Sequence, residues 1–409
     1  VTVMVYMCGT DLESRAGMAT ADLQEMANAE ISNKVKVIVE TGGTAQWKNS
    51  VISNRKNQRF QLTGDGLVLV DNTLGRKSMV DPDTLSDFIR YCKAKYPADR
   101  YELILWDHGG GSLSGYGYDE FVQNDSMSVE EIALALKQGG CAFDFIGFDA
   151  CLMATLETAV AAEPYADYLI ASEETEPGIG WYYTGWLTAL SRDTSIPTVQ
   201  LGKRIIDDYV AQVQAKTPRS QATLSLTDLA ELKGTVPGSL TAFSRATSKQ
   251  IKENDYKAVA DARAGAKEFS PASRLNQIDF IDFAEKIGTG EAKALAKALR
   301  GCVKYNRLSG NITDANGLSV FFPYGSLSKV GTMLDTYENI GIDDSFGECV
   351  RSFASTAAGG QVVSTGSGSA LGSLLSASPS GTGAGQGVQS LLNAFLSGGD
   401  FSAITGIAG

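Results

Sequence analysis

The sequence reads as an α/β protein with a mostly parallel central sheet and a smaller, mainly helical C-terminal region. Three observations carry this. Short apolar runs alternate with helical patterns through the first two-thirds of the chain, the runs are apolar almost throughout, and helices dominate after about residue 195. A run without polar alternation is buried on both faces, the condition of a strand inside a parallel sheet. Alternation with helices places those helices on both faces, joined by right-handed crossovers.

In chain order, strands are expected at 1–7, VKVIV (35–39), LVLV (67–70), LILW (103–106), FDFIGF (143–148) and DYLIAS (167–172). Helical spacing covers 12–29, 82–96, 128–138 and 152–163. Two short strands within 58–70, joined by TGDG, read as a hairpin. Helices follow at 197–215, 228–248, 255–265 and 290–305. Strands recur at TLSL (223–226) and GLSVFFP (317–323), the latter a candidate to return to the sheet. The chain thus divides into 1–226, a mainly helical 227–355, and a tail at 356–409 rich in Gly, Ser and Ala.

Composition bounds the function. The formal net charge of −12 disfavours nucleic acid and anionic membranes and draws cationic substrates over a long range. No apolar run reaches eighteen residues, so no membrane span is expected. The six cysteines, none in a C-x-x-C pair, and the single histidine argue against a structural zinc site and against a disulfide scaffold. The opening VTVMVYM lies inside a strand. Removal of an upstream signal or pro-segment is therefore expected.

Ligands of open parallel sheets bind beyond the carboxyl ends of the strands. Asp107-His108-Gly109-Gly110-Gly111 follows one strand, Asp149-Ala150-Cys151 another, and Gly9-Thr10-Asp11 and EETEPGIGWYY (173–183) two more. Cys151 stands where a strand is expected to turn directly into a helix, whose positive end would stabilise a thiolate. His108 is a base or acid suited to neutral pH. The glycines after it let a substrate carbonyl reach the backbone, where the Gly109 and Cys151 amides form an oxyanion site. Each residue has a bland reading, a buried cysteine at a turn or a histidine closing a strand. Together, at the ends of neighbouring strands, they have the arrangement of nucleophile and base in acyl transfer.

LILWDHGGG followed by IGFDACLMA resembles the clostripain family of cysteine peptidases, within the clan of caspase-like enzymes that also holds gingipains, legumains and separases. Further likeness lies in YPADRYELILWDHG, ASEETEPGIGWYY and GLSVFFP. The resemblance implies a caspase-like α/β/α sandwich and a cysteine endopeptidase with His108 and Cys151 as its catalytic pair. The histidine's share, as base to the thiol or as acid to the leaving amine, stays open. Asp149 matches the family aspartate associated with a pocket for a basic side chain. A carboxylate takes a guanidinium bidentately, so arginine is preferred and lysine second; helix capping is its bland role. Thr10 and Asp11 match a polar pair bordering the same pocket, with helix capping again the alternative. Thr175 is a candidate to line the pocket, and Trp181 offers a flat apolar wall.

The resemblance also implies a secreted or cell-surface bacterial protein acting on proteins or peptides with exposed arginine or lysine, as a monomer. Many relatives are cut between the catalytic residues, yet the loop 115–128 holds no basic residue and Lys137 falls in an expected helix. Some relatives need calcium; YDEF and EETE lack calcium-loop spacing, so neither metal nor cofactor is assigned. The competing readings are a phosphate- or nucleotide-binding α/β protein, which lacks a P-loop, and a catalytically inactive peptidase fold serving as a binding protein.

Overall fold

A computed structural model describes residues 1–359 apart from Asp65, Gln123, Asn124, Asn254 and Asn311. Among them the strands are β1 (Thr2–Cys8), β2 (Lys36–Gly42), β3 (Gln58–Thr63), β4 (Gly66–Asp71), β5 (Tyr101–Trp106), β6 (Phe143–Asp149), β7 (Ala166–Ala171), β8 (Ala222–Asp228), β9 (Glu268–Phe269), β10 (Gln277–Asp279), β11 (Val303–Ser309) and β12 (Ser319–Phe321). Nine form one sheet in the order β11-β8-β7-β6-β5-β1-β2-β3-β4, and the other three form a small sheet, β12-β10-β9. The central five, β7, β6, β5, β1 and β2, run parallel. Antiparallel pairs close both edges.

The apolar runs do what full burial requires. Successive β1 residues feed opposite faces: Val3, Val5 and Met7 enter one core, and Met4, Tyr6 and Cys8 the other. Helices Met18–Ala27, Tyr183–Arg192 and Thr198–Lys216 cover the first face. Helices Pro82–Lys95, Val129–Gly139, Leu156–Ala162 and those of the C-terminal region cover the second. The result is an α/β/α sandwich.

Several elements differ from the sequence reading. The helix expected over 12–29 breaks at Gly17, whose φ of 69° ends Thr10–Ala16 and starts Met18–Ala27. The helix expected over 290–305 stops at Cys302, and Val303–Ser309 becomes β11, antiparallel to β8. Val303 and Tyr305 suit an edge strand, and the helical count ran past the boundary. It is β11, therefore, that returns to the main sheet. Within 317–323, β12 pairs with β10 in the small sheet and meets the main body through a bridge from Ser319 to Thr155. Residues 356–358, placed in the tail, finish the helix Asp344–Ala358, with Gly359 as its cap; the tail from residue 360 on lies outside the described residues.

The helix expected from Leu152 begins only at Leu156, capped by Thr155, whose hydroxyl accepts from the Thr158 amide at 3.0 Å. Between Cys151 and the cap the backbone is tied elsewhere. The Leu152 amide donates to the Glu174 carbonyl at 3.2 Å and the Ala154 amide to the Ser172 carbonyl at 2.8 Å. These bonds to the segment after β7 replace the helical turn.

Candidate active site

The register of β5 and β6 sets Trp106 opposite Asp149, and His108 and Cys151 each stand two residues beyond that pair. Their backbones abut. A Cβ on Gly109 would lie 1.9 Å from the Cys151 carbonyl oxygen, so only glycine fits after the histidine. His108 and Cys151 line one cleft of about 340 Å³ together with Asp149, Glu176, Leu12 and Pro177.

The turn that presents Cys151 is strained. Leu152 has a φ of 68°, a left-handed conformation costly for an apolar side chain. It is held by the Glu174 bond, by Gln277, whose side chain donates to the Leu152 carbonyl at 2.8 Å, and by full burial of the leucine. Thr10, at the end of β1, is also left-handed, with φ 44°. Of the six cysteines, all free, Cys151 is the only one not buried. No helix starts at the thiol, which removes the expected dipole stabilisation. Burial, then the charges of Glu176 and Glu174, push it up to about 12, against a hydrogen bond from the Glu176 amide to Sγ at 3.2 Å.

His108 Nε2 lies 2.9 Å from Asp11 Oδ1. Burial opposes the imidazolium, but the Asp11 bond and the charges of Asp107 and Asp11 outweigh it, and the His108 pKa stands above 6.5. Asp11, despite burial, is held below its ordinary value by His108 and then by Arg15. Asp11 thus sits on the imidazole, not among the residues lining the cleft; its neighbour Leu12 lines it instead. Thr10 is fully buried, and its carbonyl accepts from the Thr44 hydroxyl at 2.8 Å.

Asp149 lies at the cleft's base. It accepts from the Tyr183 hydroxyl at 2.7 Å and the Trp181 amide at 3.2 Å, and burial still raises it to about 6. It caps no helix. Glu176 joins it, with both carboxylate oxygens buried beside the Asp149 carboxyl and the Trp181 indole. Burial and the Asp149 charge raise Glu176 well above its ordinary value, and Asp22 behind them is raised in the same way.

Two further expected pocket residues are placed elsewhere. Trp181 is fully buried under β6, where it fills the space that a Cβ on Gly147 would need. Its contribution to the site is the amide given to Asp149, not an indole wall. Thr175 turns to Glu174, its amide donating at 2.9 Å. Glu176 and Leu12 were not singled out from the sequence. A glutamate in an EETE run reads as solvated, and only the fold buries it.

Gly109 leaves its own N–H out of the local ladder. The bridge to Tyr116 is closed by the Gly117 amide donating to the His108 carbonyl at 2.9 Å and the Gly110 amide to the Gly115 carbonyl at 2.8 Å. Among the described residues, no group of three or more His, Cys, Asp or Glu side chains is arranged to hold a metal ion. No described helix is long and apolar enough to cross a membrane.

Known proteins match this architecture. The clostripain family model matches residues 5–355. Clostripain of Hathewaya histolytica is 36% identical over 126 residues, which are 26% of this chain and 23% of that protein, so the match spans about a quarter of clostripain's length. A secreted C11 cysteine protease from Bacteroides thetaiotaomicron, solved with an irreversible peptide inhibitor, has a TM-score of 0.64 at 21% identity, covering 84% of this chain and 99% of that one. An inactive zymogen C11 protease from Parabacteroides distasonis gives 0.65 at 22% identity, covering 83% and 97%. The fold shared with these C11 proteases is the caspase-like sandwich.

Proposed function

The chain belongs to the clostripain family of cysteine peptidases, and from that premise we propose that it is an endopeptidase cutting after arginine, with lysine second, through Cys151 and His108. One observation carries the proposal: the only histidine and the only cysteine that is not buried open onto one cleft, at the ends of adjacent parallel strands.

Desolvation and the neighbouring Glu176 and Glu174 charges push the thiol up, which keeps it protonated at rest. Its proton must therefore leave as sulfur attacks the substrate carbonyl, and His108 is the base on the cleft that can hold it. Asp11 steadies the imidazolium that forms. The Gly109 and Cys151 amides donate to the developing oxyanion, each worth roughly 3 kcal/mol in such sites. The imidazolium then gives its proton to the leaving nitrogen and the C–N bond breaks. Water attacks the thioester with His108 again as base, releasing the new carboxylate and restoring the thiol.

Asp149 supports the choice of a basic side chain. A guanidinium fits two carboxylate oxygens, and the partner charge restores the ionised state that burial resists. The same cation offsets the Glu176 charge that holds the thiol up, so a bound arginine favours the thiolate. Substrate selection and nucleophile activation are then one event. On this reading the protein acts as a monomer outside the cell or at its surface, and no metal is assigned to the site.

Cleavage of an arginyl reporter peptide tests this, with Cys151→Ala as the control. Turnover by the wild type, absent in the variant, is expected; equal turnover by both would remove the mechanism.

A further inference from the structure

A second cavity lies on the same rim. It is a shallow, open depression lined by Gly42, Gly43, Thr44, Lys56, Arg76 and Lys77. Two separate segments, NRKN (54–57) and GRKS (75–78), bring their cations together there. Asn57 staples them: its amide donates to the Gly75 carbonyl at 2.8 Å, and its side-chain oxygen accepts from the Lys77 amide at 3.1 Å. The Arg76 guanidinium lies over the Phe121 ring, 4.1 Å from its centre, which fixes its plane.

In a chain of net charge −12, these cations are poorly neutralised. Lys56 reaches the Asn72 carbonyl at 3.5 Å and Arg76 the Asn54 carbonyl at 3.4 Å; among the described residues neither pairs with a carboxylate. Lys77 shares Asp87 with Arg59. The other nearby carboxylates take their hydrogen bonds from neutral donors and none is within ion-pair distance of Lys56 or Arg76, although the Asp119 charge acts on Arg76 at longer range. Asp119 accepts from the Met79 and Phe121 amides, and Glu120 from Ser14, Thr44 and Ala45. The floor glycines are packed closely on buried side chains. A Cβ on Gly42 would meet Met79 at 2.8 Å, and one on Gly43 would meet Cys8 at 2.3 Å.

The position relative to the cleft gives the cavity a role. The strand order β6-β5-β1-β2 runs from Cys151 through His108 and Asp11 to Gly42. The Thr44 hydroxyl bonds the Thr10 carbonyl and so ties the cavity's edge to the residue beside Asp11. In the proposed reaction the carbonyl carbon sits at Cys151 and the departing nitrogen at His108. The departing half of the substrate therefore continues over β1 toward β2. Strands lie about 4.8 Å apart and extended chain advances about 3.3 Å per residue, so roughly three residues span the gap.

We infer that this basic cavity receives an acidic side chain of the substrate, two to four residues beyond the scissile bond on the departing side. The enzyme then reads two charges of opposite sign, a cation in the Asp149 cleft and an anion at Lys56 and Arg76. The inference rests on the peptidase reading. The overall charge repels acidic peptides at every position, so a preference for acid at these positions alone cannot come from the general field.

The test uses quenched peptides with one arginine, in which a single glutamate or glutamine is moved through four positions on each side of it. Glutamate should raise kcat/KM about three- to fivefold at the second to fourth departing positions only, and high salt should erase the gain. Arg76→Gln and Lys56→Gln should lose the gain, and Arg76→Glu should favour lysine there. A reporter that ends at the arginyl amide, with no departing residues, should be cut equally by all of them. Equal rates for glutamate and glutamine, or a glutamate preference that survives both substitutions, overturns the subsite while leaving the peptidase reading intact. Failure of the wild type to cut the reporter overturns both.

Discussion

His108 and Asp11 join the ends of two neighbouring strands through one hydrogen bond of 2.9 Å between Nε2 and Oδ1. The bond raises the imidazole and lowers the carboxyl, so it favours the charged pair. Asp11→Asn keeps the shape and removes the charge. His108 must be neutral to accept the thiol proton, so the wild-type rate should rise with pH through a value above 6.5. In Asp11→Asn that acid limb should move to lower pH, while kcat falls about tenfold to a hundredfold because the imidazolium is less stable. A pH–rate profile of both proteins checks the direction; an unmoved limb would leave Asp11 no part in positioning the imidazole.

The Cys151 thiol should alkylate slowly at neutral pH. Burial and the glutamate charges hold it at about 12, so its reaction with iodoacetamide should keep rising with pH beyond 9. A small guanidinium ligand in the cleft should accelerate it. A rate that levels off near pH 7 would indicate a preformed thiolate and contradict this account of the resting state.

Asp149→Ala should lose selectivity more than fold. The side chain sits on Tyr183 and Trp181, and its removal also spares the buried charge. Loss of one partner from a desolvated pair costs roughly 2–5 kcal/mol, so arginyl kcat/KM should drop about 30-fold or more, with a far smaller change for a neutral side chain. Steady-state kinetics on matched peptides measures the ratio.

Gly109→Ala should be folded and nearly inactive. Its methyl would overlap the Cys151 carbonyl, and the two strand ends must part. A stability loss of about 1–3 kcal/mol and a rate loss of about a hundredfold are expected, read by thermal unfolding and reporter turnover.

A buried carboxyl pair behind the cleft sets a pH trend. Glu173 accepts from the Gly317 amide at 2.7 Å and interacts with Asp279, and burial raises Asp279 to about 6 and Glu173 well above its ordinary value. Raised carboxyls hold protons in the folded state that the unfolded chain has released. Their stabilisation is present below about pH 4 and declines as pH rises through the folded values. Glu173→Gln should flatten this decline, raising stability at pH 8 relative to pH 5 in thermal unfolding.

The sheet was legible because its signal is simple. VKVIV, LILW and FDFIGF carry no polar alternation, and all three become central parallel strands. The sequence also brought out His108 and Cys151, since strand order puts their neighbours side by side. What it missed lies where tertiary bonds override local preference. The helical pattern from Leu152 gave way to bonds with Ser172 and Glu174. Trp181 looked like a surface because its loop is rich in glycine, whereas β6 needed its volume at Gly147. Asp11 looked like a pocket residue because nothing local reveals that the imidazole arriving from β5 will take it. Glu176 reads as one more surface acid until the fold closes over it.

Mass-spectrometric identification of the residue modified by an arginine-based acyloxymethylketone tests the central claim most directly. The account predicts a single thioether on Cys151, suppressed by an excess of an arginyl peptide and much slower for a reagent with an acidic residue in place of arginine. Modification at any other cysteine, or at Cys151 without regard to the charge of the reagent, would contradict it.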